Sequence, residues 1–113
     1  MKKSAILITL MLFLGTMMIQ AQKTALVIKI KTSAQCEMCK ESIEKALAYE
    51  KGVVSSELDM KTKELEVKYK SPKTSPEKIK KAIAAIGYDA DEVKADKKAY
   101  VKLDTCCKKP EDR

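Results

Sequence analysis

The sequence predicts an α+β sandwich in which one antiparallel sheet carries two helices on a single face. Three short segments have alternating apolar residues, which indicates strands, and two longer segments have apolar residues at helical spacing. These five segments follow one another as strand, helix, strand, strand and helix, and Tyr88 to Lys94 leaves room for a fourth short strand. Because βαβ connections are right-handed, both helices are expected on the same side of the sheet.

The strands are identified by their alternation and by the turns that separate them. Lys61 to Lys63 makes the turn before the third strand. Alternate positions of that strand are glutamate and lysine, so its second face is expected to meet water. The predicted inward-facing residues are, strand by strand, Leu26, Ile28 and Ile30, then Val54, Ser56, Leu58 and Met60, then Leu65, Val67 and Tyr69.

The helices are identified by a buried stripe and by residues suited to their ends. The first runs from Glu37 to Tyr49, and the following Gly52 suits a left-handed cap. The second begins at Ser75-Pro76-Glu77, which offers a capping hydroxyl, a proline for the first turn and an acid near the positive end of the helix dipole. Gly87 ends it. The predicted stripes are Cys39, Ile43, Ala46 and Leu47 in the first helix and Ile79, Ala82, Ile83 and Ile86 in the second. The resulting βαββαβ order is the ferredoxin-like arrangement.

The amino terminus has the layout of a secretory signal peptide. Two lysines precede an apolar run from Ala5 to Ile19, and the small Ala21 stands where a signal peptidase would cut. The run is short for a bilayer span of about 20 residues, and an uncleaved anchor is the alternative. We therefore divide the chain into a signal peptide (1–21), a domain (22–94) and a lysine-rich tail (95–113), and we expect a periplasmic or secreted protein.

The charge balance is basic, with a formal net charge of +7 over 113 residues. Such a balance is common in proteins that bind nucleic acid. Here the lysines alternate with glutamates on faces that are predicted to be exposed, and aromatic residues, at 4% of the chain, are too few for base stacking. We therefore interpret the lysines as a solvated surface and expect no nucleic-acid partner.

All four cysteines, Cys36, Cys39, Cys106 and Cys107, follow the predicted signal peptide. An even number of cysteines in an exported chain first suggests disulfides. Pairing within either cluster would close almost no loop and would add little stability, whereas pairing between the clusters stays an alternative. The spacing favours a role as metal ligands or reactive thiols over a role as structural crosslinks.

Cys36 and Cys39 lie at a predicted junction between a loop and a helix. Free amide groups and the positive end of the helix dipole stabilise a thiolate there, and Lys40 adds positive charge. Thiolates select Cu(I), Zn(II) and other soft cations over magnesium or calcium. The chain has no histidine, and two thiolates suit a two-coordinate ion better than a zinc ion that needs four ligands. Cu(I) is therefore the first choice and Hg(II) the second, with Zn(II) as a further alternative.

The sequence around these cysteines resembles a known family. The matching residues are Ser33 to Cys39 (SAQCEMC), Gly52-Val53 after the first helix, and Ala85 to Tyr88 (AIGY) at the end of the second helix. On these residues, the segment 25–94 resembles the heavy-metal-associated domain of copper chaperones, copper-transporting ATPases and the periplasmic mercury-binding protein. The loop departs from the usual Gly-Met-Thr or Gly-Met-His of the family, since Ser33-Ala34-Gln35 stands in that place.

The resemblance implies that Cys36 and Cys39 bind the metal and that Tyr88 lies beside the site as a neighbour or partial lid. It also implies a carrier that passes one ion by stepwise ligand exchange to a metal-transporting membrane ATPase or to another acceptor with thiolates. Met38 lies between the cysteines, but on a helix its side chain points away from them, so we expect it to pack or to be exposed next to the site.

Cys106 and Cys107 lie outside the region of the resemblance, and three interpretations are open. The tail is mobile and forms adventitious disulfides, or the pair forms a soft-metal site of its own, or the tail folds back and offers auxiliary thiolates to the ion held by the first pair. The adjacent Lys108 and Lys109 are expected to favour the thiolate forms.

The leading functional hypothesis is an exported metallochaperone or scavenger, which is not an enzyme. One alternative is a CxxC thiol–disulfide oxidoreductase. The sequence argues against it, because the chain has no tryptophan and therefore lacks the Trp-Cys-Gly-Pro motif. Another is a structural domain with an inert disulfide between Cys36 and Cys39. A monomer and a metal-bridged dimer both fit, because two exposed two-thiolate sites can share one ion.

Overall fold

The structure is a computed structural model that describes residues 25–113. The predicted signal peptide, residues 1–21, lies outside the described residues and stays a prediction. Within 25–113, no helix is long and apolar enough to cross a bilayer. The elements are β1 (Leu26–Lys31), α1 (Glu37–Ala48), β2 (Val53–Leu58), β3 (Glu64–Tyr69), α2 (Pro76–Ala85) and α3 (Lys97–Val101), followed by single 3₁₀ turns at Thr105–Cys107 and Pro110–Asp112.

The sheet is antiparallel, with the strand order β1-β3-β2 in the described part of the chain. In the central strand, Leu65 pairs with Ile30 of β1 and Val67 pairs with Ser56 of β2. Helices α1 and α2 pack against each other over the sheet. The predicted α+β class and the ferredoxin-like arrangement are therefore confirmed.

The inward face of β2 differs from the prediction. The pairing of β2 with β3 shifts between Val53 and Ser55, which is the signature of a β-bulge. As a result Val53, not Val54, packs against the core, and Val54 is 54% exposed. Ser56 and Leu58 face inward as predicted. The extra residue of the bulge changes the side that the preceding residues face, so only the start of the strand departs from the prediction.

The predicted fourth strand over Tyr88 to Lys94 is reduced to isolated bridges. Ala90 pairs with Thr32 beside β1 and then with Val93. Asp91 has a φ of +50°, and the chain turns back there, so that Ala90 and Val93 exchange backbone hydrogen bonds of 2.9 Å. Residues 89–91 still meet the end of β1, where the Asp91 N–H donates to the Lys31 carbonyl at 2.8 Å, but the turn at Asp91 prevents this pairing from continuing as a strand.

The core lies between the helices and the inner face of the sheet. Ile43 and Ile83 from the helices and Ile30, Leu65 and Val67 from the strands are fully buried. The start of α2 is set as predicted, since the Ser75 hydroxyl accepts the Lys78 N–H at 3.3 Å. Packing in the core thus fixes the two helices relative to the sheet, and the start of α1 lies beside the end of α2.

Candidate metal centre

The loop before α1 is held on one side by the turn between β2 and β3. The Thr32 hydroxyl donates to the Lys63 carbonyl at 3.0 Å and accepts the Ala34 N–H at 3.4 Å. Ala34 is fully buried. The small side chain therefore does not leave the loop detached from the domain.

On its other side, the same loop is bound to the segment that follows α2. The Asp89 N–H donates to the Ser33 hydroxyl at 2.9 Å, and the Ser33 N–H donates to the Asp89 carbonyl at 3.3 Å. This reciprocal pair fixes Tyr88, the residue next to Asp89, against the start of α1.

Cys36 and Cys39 occupy the first turn of α1. Cys36 is the N-cap, with extended backbone angles, and its carbonyl accepts the N–H groups of Cys39 at 3.0 Å and Lys40 at 3.2 Å. The two sulfurs lie 3.2 Å apart, with Cys39 buried and Cys36 half-buried. Lys40 lies 3.4 Å from Glu44, so its charge is partly compensated.

The structure brings the second cysteine pair to the same place. Cys106 Sγ and Cys107 Sγ each lie 3.5 Å from Cys36 Sγ, and they lie 3.9 Å from each other. Cys107 is 3% exposed and Cys106 is exposed. Four sulfurs therefore converge at one site, with Cys36 in contact with the other three.

Helix α3 attaches the tail to the end of α2. Gly87 has a φ of +104°, and α3 lies so close to it that a Cβ atom would stand 3.1 Å from the Ala99 carbonyl carbon. The Asp96 N–H donates to the Ala84 carbonyl at 2.9 Å, and the Asp96 carboxylate caps α3 by accepting the Ala99 N–H at 3.0 Å. Leu103 then packs against the core.

Polar contacts hold the last residues of the tail. Lys109 Nζ lies 2.8 Å from an Asp89 carboxylate oxygen, and the Lys109 N–H donates to the Tyr100 hydroxyl at 2.9 Å. The Arg113 guanidinium donates to the Cys106 carbonyl at 3.1 Å. Sequence reasoning missed Asp89 and Arg113 in this role, because a contact between residues far apart in the chain leaves no local pattern.

The environment of Cys107 contradicts the expectation that neighbouring lysines favour its thiolate. Burial raises the pKa of the Cys107 thiol, and the nearby thiols of Cys39 and Cys36 raise it further. Lys109, one of those lysines, forms its ion pair with Asp89. Cys107 is therefore protonated at neutral pH, and an ion that binds there must displace the proton.

Tyr88 is buried beside the sulfurs, whereas Met38 is exposed to solvent. Tyr88 is 1% exposed and adjoins Cys39 and Cys107, and burial, followed by those two thiols, raises the pKa of its hydroxyl. The phenol is thus neutral beside the sulfurs. Met38 is 48% exposed on the outer side of the first helical turn.

Comparisons with known proteins find a family match for the region around Cys36 and Cys39. The chain matches the heavy-metal-associated domain over residues 32–89. It is 36% identical over 66 residues to the copper chaperone CopZ of Staphylococcus epidermidis, covering 58% of this chain and 96% of that protein. With CopZ of Staphylococcus haemolyticus it shares 39% identity over 54 residues, 48% of this chain and 79% of that protein.

Solved structures are similar in the same region. A CopZ metallochaperone superimposes with a TM-score of 0.55 at 27% identity, covering 57% of this chain and 98% of the other. Oxidized MerP from Ralstonia metallidurans superimposes with a TM-score of 0.57 at 25% identity, covering 59% and 94%. The chain belongs to the heavy-metal-associated domain family. The matched region contains Cys36, Cys39 and Tyr88, whereas Cys106 and Cys107 lie beyond it.

Proposed function

We infer that this protein is an exported carrier of a thiophilic metal ion, with Cu(I) as the preferred cargo. The observation that carries the proposal is the pair Cys36 and Cys39, whose sulfurs lie 3.2 Å apart in the first turn of α1 within the family match. Relatives named as copper chaperones support Cu(I) as the ion. The predicted signal peptide supports a periplasmic or secreted location.

Each residue of the site has a distinct part in holding the ion. Cys36 and Cys39 supply thiolates, which bind Cu(I) in preference to hard cations. Amide groups at the start of α1 and the positive end of the helix dipole stabilise the negative charge that the thiolates carry. Tyr88 excludes water on the buried side, because it is itself buried and its hydroxyl adjoins Cys39.

Release of the ion takes place by thiolate exchange with an acceptor. Cys36 is half-buried and lies at the surface side of the pair, so an incoming sulfur reaches the ion there first. Two-coordinate Cu(I) has room for a third sulfur, and the acceptor therefore attacks before Cys36 leaves. The acceptor is a metal-transporting membrane ATPase or another protein with paired thiolates.

Hg(II) is the second candidate cargo, favoured by the structural likeness to MerP. The chemistry of the site is the same for both ions, since each is soft and accepts two thiolates. Competition between Cu(I) and Hg(II) for the reduced protein at equal free-ion activity ranks the two.

The test is a titration of the reduced protein with Cu(I) against a competing Cu(I) chelator under anaerobic conditions. Wild-type protein is expected to take one ion from the chelator, and Cys36→Ser/Cys39→Ser is expected to lose that ability. Ser42→Ala, on an exposed position of α1, is the matched control. Reduction of insulin disulfides without retention of Cu(I) would refute the carrier and favour the oxidoreductase.

A further inference from the structure

The second thiol pair lies at distances that suit a shared ion. The sulfurs of Cys36, Cys106 and Cys107 all lie within 4.8 Å of one another. Cys39 Sγ is 3.2 Å from Cys36 Sγ but lies outside this mutual group of three. A tetrahedral centre with metal–sulfur bonds of about 2.3 Å separates its sulfurs by about 3.8 Å. Small displacements of the three grouped sulfurs would therefore open the space for one ion, and a fourth bond would require Cys39 to approach the tail sulfurs more closely.

The backbone of the tail explains why both of its sulfurs face the site. Adjacent residues of an extended chain point to opposite sides, so neighbouring cysteines in a strand could not both reach one ion. Thr105–Cys107 instead forms a 3₁₀ turn, in which successive side chains are about 120° apart. The Cys107 N–H closes this turn by donating to the Asp104 carbonyl at 2.8 Å.

The tail is attached by groups that are not ligands. Gly87 provides the close approach for α3, the Asp89–Lys109 ion pair holds the segment after the cysteines, and Arg113 binds the Cys106 carbonyl. The sulfurs are thus positioned by the fold before an ion arrives. Such preorganisation lowers the entropy lost when ligands are gathered around the ion.

We propose that Cys106 and Cys107 are ligands of the ion bound by Cys36 and Cys39, so that the four sulfurs form one centre with three or four thiolates on the metal. This inference rests on the proposed function and extends it. The centre takes thiophilic ions that accept more than two sulfurs, namely trigonal Cu(I) or Hg(II) and tetrahedral Zn(II). Buried Cys107 stays on the ion, and in this larger centre exposed Cys106 leaves before half-buried Cys36 when an acceptor sulfur attacks.

The first measurement counts the sulfurs bound to the ion. X-ray absorption at the copper edge is recorded on the reduced protein with half an equivalent of Cu(I), so that each molecule holds at most one ion. Three or more sulfurs per copper are expected for the wild type and two for Cys106→Ser/Cys107→Ser. Two sulfurs per copper in the wild type would overturn the shared centre, because separate two-thiolate sites would give that result.

The second measurement compares affinities. Cys106→Ser/Cys107→Ser is expected to lose Cu(I) to the chelator at least about tenfold more readily than the wild type. Thr105→Ala, in the same turn but without a thiol, is the control and is expected to match the wild type. Equal affinities of the wild type and the double variant would contradict the proposal.

A third variant protects the test against misfolding. Cys106 is exposed, so Cys106→Ser should leave the fold intact, and circular dichroism checks this. Copper bound to this variant is still expected to have Cys107 as its third sulfur ligand. Two sulfurs per copper in that variant would also overturn the proposal. If the wild type itself takes no Cu(I), the proposed function fails with the inference. If Cys36 and Cys39 alone hold the ion, only the inference fails.

Discussion

Replacement of Gly87 by alanine tests whether the fold itself holds the tail at the site. Gly87 has a φ of +104°, and an added Cβ would stand 3.1 Å from both the Ala99 carbonyl carbon and the Tyr100 amide nitrogen. These are backbone atoms of α3, so a side-chain rotation cannot relieve the contact. The helix must move away from Gly87 by a few tenths of an ångström, which weakens its packing and the docking of Cys106 and Cys107.

The magnitude follows from the backbone and from the contact together. A side chain at positive φ costs about 1–2 kcal/mol, and the displaced contact with α3 raises the expected loss of unfolding free energy to about 2–3 kcal/mol. Gly52→Ala is the matched control, because Gly52 has a φ of +93° and its Cβ would meet Lys73 Cβ at 2.9 Å, away from α3. Both variants should lose stability, but only Gly87→Ala should release the tail.

The assay is the alkylation rate of Cys107 in the reduced protein, with Cys106 as an internal reference. Cys107 is 3% exposed, so it reacts only when the tail opens, whereas Cys106 is exposed throughout. If the free energy of docking of the tail falls by about 1.4 kcal/mol, the population with an open tail rises about tenfold. The alkylation rate of Cys107 rises by the same factor. Equal Cys107 rates in Gly87→Ala and Gly52→Ala would refute the reasoning that α3 positions the tail.

Three further predictions follow from the core, the ion pair and the tyrosine. Ile43→Ala should lower the free energy of unfolding in urea by about 2–5 kcal/mol, because a fully buried side chain is removed from the core; a loss below about 1 kcal/mol would contradict that packing. The pKa of the Asp89 carboxyl is lowered, since the Lys109 ammonium and the Ala95 N–H outweigh its burial. Its contribution, about 1 kcal/mol or less, is therefore present above the ordinary pKa of aspartate and is lost as the pH falls through the lowered value. Asp89→Asn should remove this part of the acid sensitivity of urea unfolding, and an unchanged pH profile would argue against the ion pair. Tyr88→Phe should keep the number of sulfurs on copper and lower the affinity by about tenfold at most; loss of a ligand in X-ray absorption would show that the phenol binds the ion.

Most of the fold could be predicted because its signals are local. The capping hydroxyl of Ser75 and the apolar stripe of α1 depend on neighbours a few residues away, and both are present as expected. The bulge in β2 could not be predicted, because the side that Val54 faces depends on its pairing with another strand. The same limit applies to the turn at Asp91, which replaces the expected fourth strand.

The candidate site divides in the same way. Cys36 and Cys39 are three residues apart at the start of a helix, so the local backbone alone brings their sulfurs together, and the sequence was sufficient to predict the pair. Cys106 lies 70 residues from Cys36, and the sequence left open whether the tail reaches the site.

Only the tertiary structure decided the position of the second thiol pair and the pKa of Cys107. The tail reaches the site because α3 packs against Gly87 and because Lys109 binds Asp89. The same packing buries Cys107 and raises its pKa, against the charge of the neighbouring lysines. Periodicity in a sequence reflects the neighbours along the chain, whereas the separation of distant sulfurs and their access to water depend on how the whole chain packs.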